Sequence, residues 1–508
     1  MESANNGKEV KRNIKKAIEL LEKVANQGDV NAQGILGVIY DTGDGVEQDF
    51  RKAFKWYEKS ANQGDANAQG ILGNMYCLGE GVEQDFRKAF KWYEKSANQG
   101  IALSQLSLGE MYYKGEGVEQ DFKKAFEWYE KSANQGELDA QFKLGGMYYK
   151  GEGVEQDFRK AFEWYEKSAN QGNVTAQCIL GGMYDVGVGV EQDFRKAFEW
   201  YEKSANQGDS DAQCMLGVIY ATGEGVEQDF TKAFKWFEKV ANQGNSDVQC
   251  ILAKMYYRGE GVEQDFTKAF KWFEESANQG DLDAQCILAK MYYRGEGVER
   301  DFTKAFECFK EAASQGNSDA QVVLGGMYVA GEGVEQDFTK AFECFKEATS
   351  QGNSDAQVVL GGMYVAGKGV EQDFKKAFEC FNEAASQGVI IAKVVLGEMY
   401  YEGQGVEQDF KKAFECFNEA VSQGVTIAQF FLGEMYYEGK GVEQNFEKAF
   451  EQYTKISNKY ITIAQFFLGE MYYEGKGVEQ NFEKAFKWCQ KAVEQGVTEA
   501  KSLLDKMK

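Results

Sequence analysis

The sequence predicts an all-α fold, a solenoid of thirteen 36-residue helix–loop–helix repeats with a half-repeat cap at each end. Three observations carry the prediction. The octapeptide Gly43-Asp44-Gly45-Val46-Glu47-Gln48-Asp49-Phe50 returns as Gly79-Glu80-Gly81-Val82-Glu83-Gln84-Asp85-Phe86, then every 36 residues as far as Gly475, without insertion or deletion. Within each copy the apolar residues fall at helical spacing, and no run alternates in the manner of a strand. A helical pair of this size cannot bury its apolar face alone, so neighbouring copies must stack into one continuous core.

Numbered from residue 29, repeat 1 is 29–64 and repeat 13 is 461–496. Ahead of them, 1–28 is a capping half-repeat, in which 12–25, with Ile14, Ala17, Ile18, Leu20, Leu21 and Val24, reads as a second helix lacking its first. In repeat 2 (65–100), Ala68, Leu72, Met75 and Tyr76 mark one face of a first helix, helix A. Gly79 and Gly81 stop it, because Gly enters the positive-φ region without steric cost. Asp85 then caps helix B, whose buried face is Phe86, Ala89, Phe90 and Tyr93. Asn98-Gln99-Gly100 ends helix B and turns the chain into the next copy. At the far end, 497–508 is a truncated helix A, with Asp505 where the repeats place Gly, a polar cap. The whole of 1–508 reads as a single domain. Helices packed about 8–10 Å apart in two layers give it a contour on the order of 100 Å.

Composition narrows the function. The chain holds 81 acidic against 57 basic residues, a formal charge of −24, and has no His and no Pro. This charge disfavours nucleic-acid binding, which depends on Lys and Arg neutralising phosphates, and it repels anionic membranes. It suits basic partners, or serves solubility alone. Without His, the usual serine and cysteine triads, most zinc sites and the commonest general base are excluded. The polar N-terminus, Met1-Glu2-Ser3-Ala4-Asn5-Asn6-Gly7-Lys8, has no apolar signal core, and no stretch reaches the length of a membrane span. The expectation is a monomeric cytoplasmic protein, with export to a host cell by a non-classical route left open.

The pattern resembles the Sel1-like repeat, a relative of the tetratricopeptide repeat. In 137–172 the resemblance rests on Ala140, Leu144-Gly145, Met147-Tyr148, Gly151, Gly153-Val154, Asp157-Phe158, Lys160-Ala161-Phe162, Trp164-Tyr165, Lys167, Ala169 and Gly172. It implies a right-handed superhelix acting as a non-enzymatic adaptor in signalling, in endoplasmic-reticulum degradation complexes or in bacterial–host interaction. It leaves open a second role, as an immunity or neutralising partner of a toxin or effector. Three departures stand out. Glu155 and its counterparts replace a common Pro, Trp gives way to Cys308, Cys344, Cys380 and Cys416, and repeat 12 ends in Lys459-Tyr460 instead of Gln-Gly.

Features that invite chemistry read better as structure. The Gly-x-Gly-Val loops follow helices, not strands, so they are turns and not phosphate cradles. Their carboxylates are too sparse to chelate a cation. Cys178, Cys214, Cys250 and Cys286 form one ladder in helix A, and the four cysteines from Cys308 to Cys416 another in helix B. Rungs about 10 Å apart exceed the reach of a disulfide. A cysteine-rich, β-lactam-binding branch of the family carries paired cysteines in each repeat. Here only 281–316 holds two, so buried thiols are expected, and a β-lactam hydrolase is the least favoured reading. The Trp column from Trp56 to Trp272 is expected in the core. No catalytic, metal or cofactor residues are assigned.

The functional signal lies in the columns that vary between copies. In helix A of 245–280 they are Asp247, Cys250, Ile251, Lys254, Tyr257 and Arg258, which share one helix face. Gln249, Leu252, Met255 and Tyr256 barely vary and are expected in the stacking core. The variable face is expected to line a concave groove that binds a protein or peptide. Its middle is basic and aromatic, with Lys254, Tyr257, Arg258, Lys290, Tyr293 and Arg294. Next come small residues, among them Gly326, Val329, Ala330, Gly362, Val365 and Ala366. The C-terminal copies are acidic and aromatic, with Glu398, Tyr401, Glu402, Glu434, Tyr437, Glu438, Glu470, Tyr473 and Glu474. Tyr supplies contact area at low entropic cost. Duplication alone would also propagate such patches, since the last two copies share an identical Ile-Ala-Gln-Phe-Phe-Leu-Gly-Glu-Met-Tyr-Tyr-Glu-Gly.

Overall fold

The computed structural model describes residues 15–457 and 462–507, and among them every regular element is a helix. The chain forms two compact units, Met1–Gln264 and Asp265–Lys508, divided in the loop of repeat 7. In each, helix B packs between its own helix A and the helix A that follows.

Local chemistry sets the boundaries. In repeat 2, helix A runs Ala66–Leu78 and helix B runs Phe86–Asn98. Asp65 accepts from the Ala68 N–H, and Asp85 accepts from the Lys88 N–H at 3.0 Å, satisfying donors that a helix start leaves open. Gly79 closes helix A at φ 78° and donates to the Met75 carbonyl at 2.8 Å. Between the helices, Gln84 Nε2 donates to the Cys77 carbonyl at 2.7 Å and holds the loop shut.

Three contacts join one repeat to the next. Tyr76 meets Phe54 of the preceding repeat edge-on, with centroids 5.4 Å apart and planes at 88°. Buried Gln69 donates from Nε2 to the preceding Ala61 carbonyl at 3.0 Å, while its Oε1 accepts from Gln99 at 2.7 Å. Gly81, at φ 70°, lies so close to the preceding helix B that a Cβ there would collide with the Phe50 carbonyl. The same three contacts recur at Phe90, Tyr112, Gln105 and Gly117 one repeat on, and in the second unit at Phe342, Tyr364, Gln321 and Gly333.

The columns expected in the core are there. Gln249, Leu252, Met255 and Tyr256 are all buried. Other expectations need correction. The Trp column is only half-buried, because the next residue, such as Tyr165, takes the core position and leaves Trp164 at the edge of the stripe. There Lys167 covers its ring with Nζ 3.7 Å from the centroid. The cysteines are not uniformly buried either. Cys250, Cys286 and Cys489 are, while the other seven are half-buried. In the leading helix, 15–26, only Ile18 and Ala25 are buried. Leu20 and Val24 stay exposed because no described helix A covers that side. Ile14 and the Lys459-Tyr460 departure lie outside the described residues. At the other end, Glu499–Met507 forms the expected truncated helix A, with Asp505 exposed.

The glutamine ladder is interrupted in the second unit, where Gln465 Oε1, for one, has no partner. Lys393 stands in the glutamine column and pairs with Glu419. At Thr349, where most repeats place Ala, the hydroxyl has no partner and neither does Gln357 Nε2 of the next repeat.

Two predictions follow from this stacking. Gly81→Ala should cost at least about 2 kcal/mol, since it adds a backbone collision to an unfavourable φ, whereas Gly100→Ala, which meets nothing, should cost about 1 kcal/mol. Thr349→Ala should stabilise its neighbourhood by about 1 kcal/mol by removing a buried unsatisfied hydroxyl. Native-state hydrogen exchange at the flanking helices reads both, because a solenoid opens locally.

Candidate protein-binding surface

The variable columns of helix A differ in how far they reach the surface, and their Tyr column packs on the first residue of helix B. In the middle of the chain Lys254 and Tyr257 are half-buried, while Arg258 is exposed, 3.7 Å from Glu260. Lys290 is exposed, and Arg294 sits 3.8 Å from Glu296. Tyr293 is half-buried. Its ring packs edge-on against Phe302, with centroids 5.1 Å apart, and its hydroxyl donates to Glu332 of the following repeat at 2.5 Å. Cys250 and Cys286 are buried, whereas Phe142 and Cys178 in the same column are half-buried.

The acidic end is less free than its composition implies. Tyr401 packs on Phe410 and donates to Glu438 of the next repeat at 3.0 Å. Lys440 caps that contact, 2.7 Å from Glu438 and 3.1 Å from the Tyr401 hydroxyl. One repeat on, Lys476 lies 2.6 Å from Glu474 and 3.1 Å from the Tyr437 hydroxyl. Glu402 accepts from Gln404 at 2.6 Å, and Tyr473 packs on Phe482. The Tyr column therefore clasps successive repeats, and Glu438 and Glu474 are already paired with cations of the chain.

Glu398, Glu434 and Glu470 remain. They are half-buried in one column, each one helical turn from a second Glu. Burial first, and Glu438 second, push the Glu434 carboxyl up to about 7, and burial raises Glu398 and Glu470 too. Lys440 holds Glu438 in the opposite direction, chiefly by its hydrogen bond.

A stretch of the first unit that the sequence reading did not single out is the more open. Two neighbouring cavities lie between successive helices A and share Tyr165 and Ile179. One, of 290 Å³, is lined by Tyr113, Phe142, Gly146 and Lys150. The other, of 470 Å³, is lined by Tyr149, Gly182, Val186 and Val188. The space exists because Gly146 and Gly182 occupy a column that elsewhere carries Asn74, Glu110 or Lys254. That substitution was visible in the sequence, but its meaning depends on where the column points.

The thiols are not activated. Burial raises the thiols, Cys178 to about 12 and Cys344, Cys380 and Cys489 to about 11, so thiolate is scarce at neutral pH. Among the described residues no cluster of three or more His, Cys, Asp or Glu could hold a metal, and no helix is long and apolar enough to cross a membrane.

The raised carboxyl predicts a pH effect. Folded, Glu434 binds its proton more tightly than it does unfolded, so its neutral form favours folding at low pH. That contribution is lost as pH rises from about 4.5 through about 7. Glu434→Gln should thus raise the melting temperature at pH 8 and leave it nearly unchanged at pH 4, as differential scanning calorimetry can check.

The Sel1 repeat model matches fourteen segments, from 4–29, 30–65 and 66–101 through to 426–458 and 462–497. The first falls on the half-repeat, and the others follow the 36-residue copies. A protective antigen of uropathogenic Escherichia coli strains, with an SLR fold, is 33% identical, with 97% of each chain covered and a TM-score of 0.74. A Sel1 repeat protein from Oxalobacter formigenes is 34% identical over 61% of this chain and 89% of that one, with a TM-score of 0.48. No curated protein matches. With Sel1 repeats filling almost its whole length, the chain belongs to the Sel1 repeat family.

Proposed function

We propose that this chain is a non-enzymatic scaffold that binds segments of partner proteins against the outward face of its helices A. Proteins built from these repeats are typically interaction scaffolds, and the chemistry found here supports that reading over catalysis. The observation that carries it is the separation of columns. Residues that stack the repeats are nearly invariant and buried, whereas the outward column holding Gly146, Lys254, Glu398 and Glu434 changes from copy to copy.

The open cavities beside Tyr149 and Tyr165 supply apolar contact area, and the exposed Lys290 and Arg258 supply charge. Such surfaces suit an extended or helical segment presented by another protein. The half-buried Glu column would take up a basic side chain, with Glu434 losing its proton as the cation arrives.

Crosslinking mass spectrometry on the full chain with a captured partner tests the proposal. Crosslinks should concentrate on helix A residues such as Lys143, Lys150, Lys254 and Lys290. A map dominated by helix B lysines such as Lys55, Lys91 and Lys235 would sink it.

A further inference from the structure

The two cavities of the first unit have a chemistry of their own. They repeat with the solenoid: Tyr113 and Gly146 in one correspond to Tyr149 and Gly182 in the other. Their walls are aromatic and aliphatic, and Tyr149 and Val186 are 39% and 69% exposed. Aromatic side chains left at a pocket mouth are the usual anchors of a protein interface.

Lys143, Lys150 and Glu152 line the smaller cavity, and Glu152 accepts from the Tyr113 hydroxyl at 2.7 Å, so cations outnumber carboxylates at that edge of a chain whose net charge is −24. Lys114 and Lys150 are exposed, and among the described residues neither has a carboxylate within ion-pair reach. Lys143, also exposed, sits 3.6 Å from Glu110. An anchor entering the smaller cavity therefore meets Lys150 at its edge.

Spacing selects the shape of the occupant. The two cavities share Tyr165 and Ile179, and successive helices A flank one helix B, which sets the cavities on the order of 10 Å apart, the spacing of neighbouring helices. On an α-helix, residues i and i+7 are about 10.5 Å apart and lie on one face. Cavities of 290 and 470 Å³ call for Leu, Met or Phe, not small side chains.

Resting on the scaffold reading above, we infer that this trough binds an amphipathic helix of a partner protein. That helix places large apolar residues at i and i+7 in the two cavities and directs Asp or Glu toward Lys114 and Lys150. Gly146 and Gly182 are its specificity-determining residues, since any side chain in that column would occupy the space the anchors need.

Those glycines also supply a clean test. A Cβ at Gly146 would meet only the Tyr165 hydroxyl, and one at Gly182 only the Tyr201 hydroxyl, each at an ordinary contact distance of 3.5 Å. Both lie within helices, where Gly is the weaker helix former. A Cβ therefore fits at both, and the column carries the larger Asn74, Glu110 and Lys254 in other repeats.

A display library of helical 18-residue peptides, random at the outward positions, is selected in parallel against the full chain and against its Gly146→Leu/Gly182→Leu variant. Circular dichroism and melting confirm that the variant folds. The wild-type chain should enrich peptides with large apolar residues at i and i+7 and flanking acids. The variant should bind the selected peptides at least about tenfold more weakly, and Lys114→Glu/Lys150→Glu should weaken them in a salt-dependent way. Enrichment without the i, i+7 pattern, or undiminished binding to the filled variant, overturns the inference. Crosslinks elsewhere on the helix A face would still uphold the scaffold reading, so the two failures are distinguishable.

Discussion

Backbone touches backbone where one repeat meets the next, and the rest of the molecule follows from that approach. The second glycine of each loop, Gly81 or Gly117 for example, lies against the first carbonyl of the preceding helix B with no room for a Cβ. The contact involves rigid groups, so it fixes distance and register together. Given that register, Tyr76 reaches Phe54, Gln69 reaches the Ala61 carbonyl, and each helix A column lines up with its copies. A slip of one helical turn would lose all three contacts at once. Side-chain packing alone, being softer, would define the stack less sharply.

Aligned columns turn single residues into ladders, and ladders change their chemistry. One Glu beside Glu438 would be an ordinary surface carboxylate. Glu398, Glu434 and Glu470 in one column are half-buried, so desolvation raises each of them. The same alignment lets Lys440 and Lys476 reach the tyrosine of the preceding repeat and neutralise a neighbouring carboxylate. Local charge is thus lower than composition suggests. The acidity of the C-terminal copies lies in a half-buried column whose carboxyls are all raised and in carboxylates already paired with Lys440 and Lys476.

Fold class, period, caps and core columns were legible because each rests on contacts within one repeat or between identical neighbours. Asp85, Gly79, Leu72 and Tyr256 behave as their spacing required. The surface was less legible. Tyr293 and Tyr401 look like free aromatic area until Glu332 and Glu438, each in the following repeat, are seen to hold their hydroxyls. Trp164 looks like core until Tyr165 takes the buried place. These outcomes depend on which of two adjacent residues points inward, and on positions 37 or 39 residues away, neither of which periodicity reports.

The paired glycines of helix A show how far structure can separate need from freedom. At Gly145 a Cβ would collide with the Tyr165 ring, so packing alone demands Gly there. One residue later, at Gly146, a Cβ would touch only the Tyr165 hydroxyl at an ordinary distance, and at Gly326 and Gly362 it would touch nothing. Stacking makes no demand in that second column, and helix stability argues against Gly by about 1 kcal/mol relative to Ala. The open space at Gly146 and Gly182 therefore cannot be credited to the fold. It is a property of the surface, and with the aromatic cavities that flank it between Tyr113 and Val188 it is a physical reason to look for a ligand there.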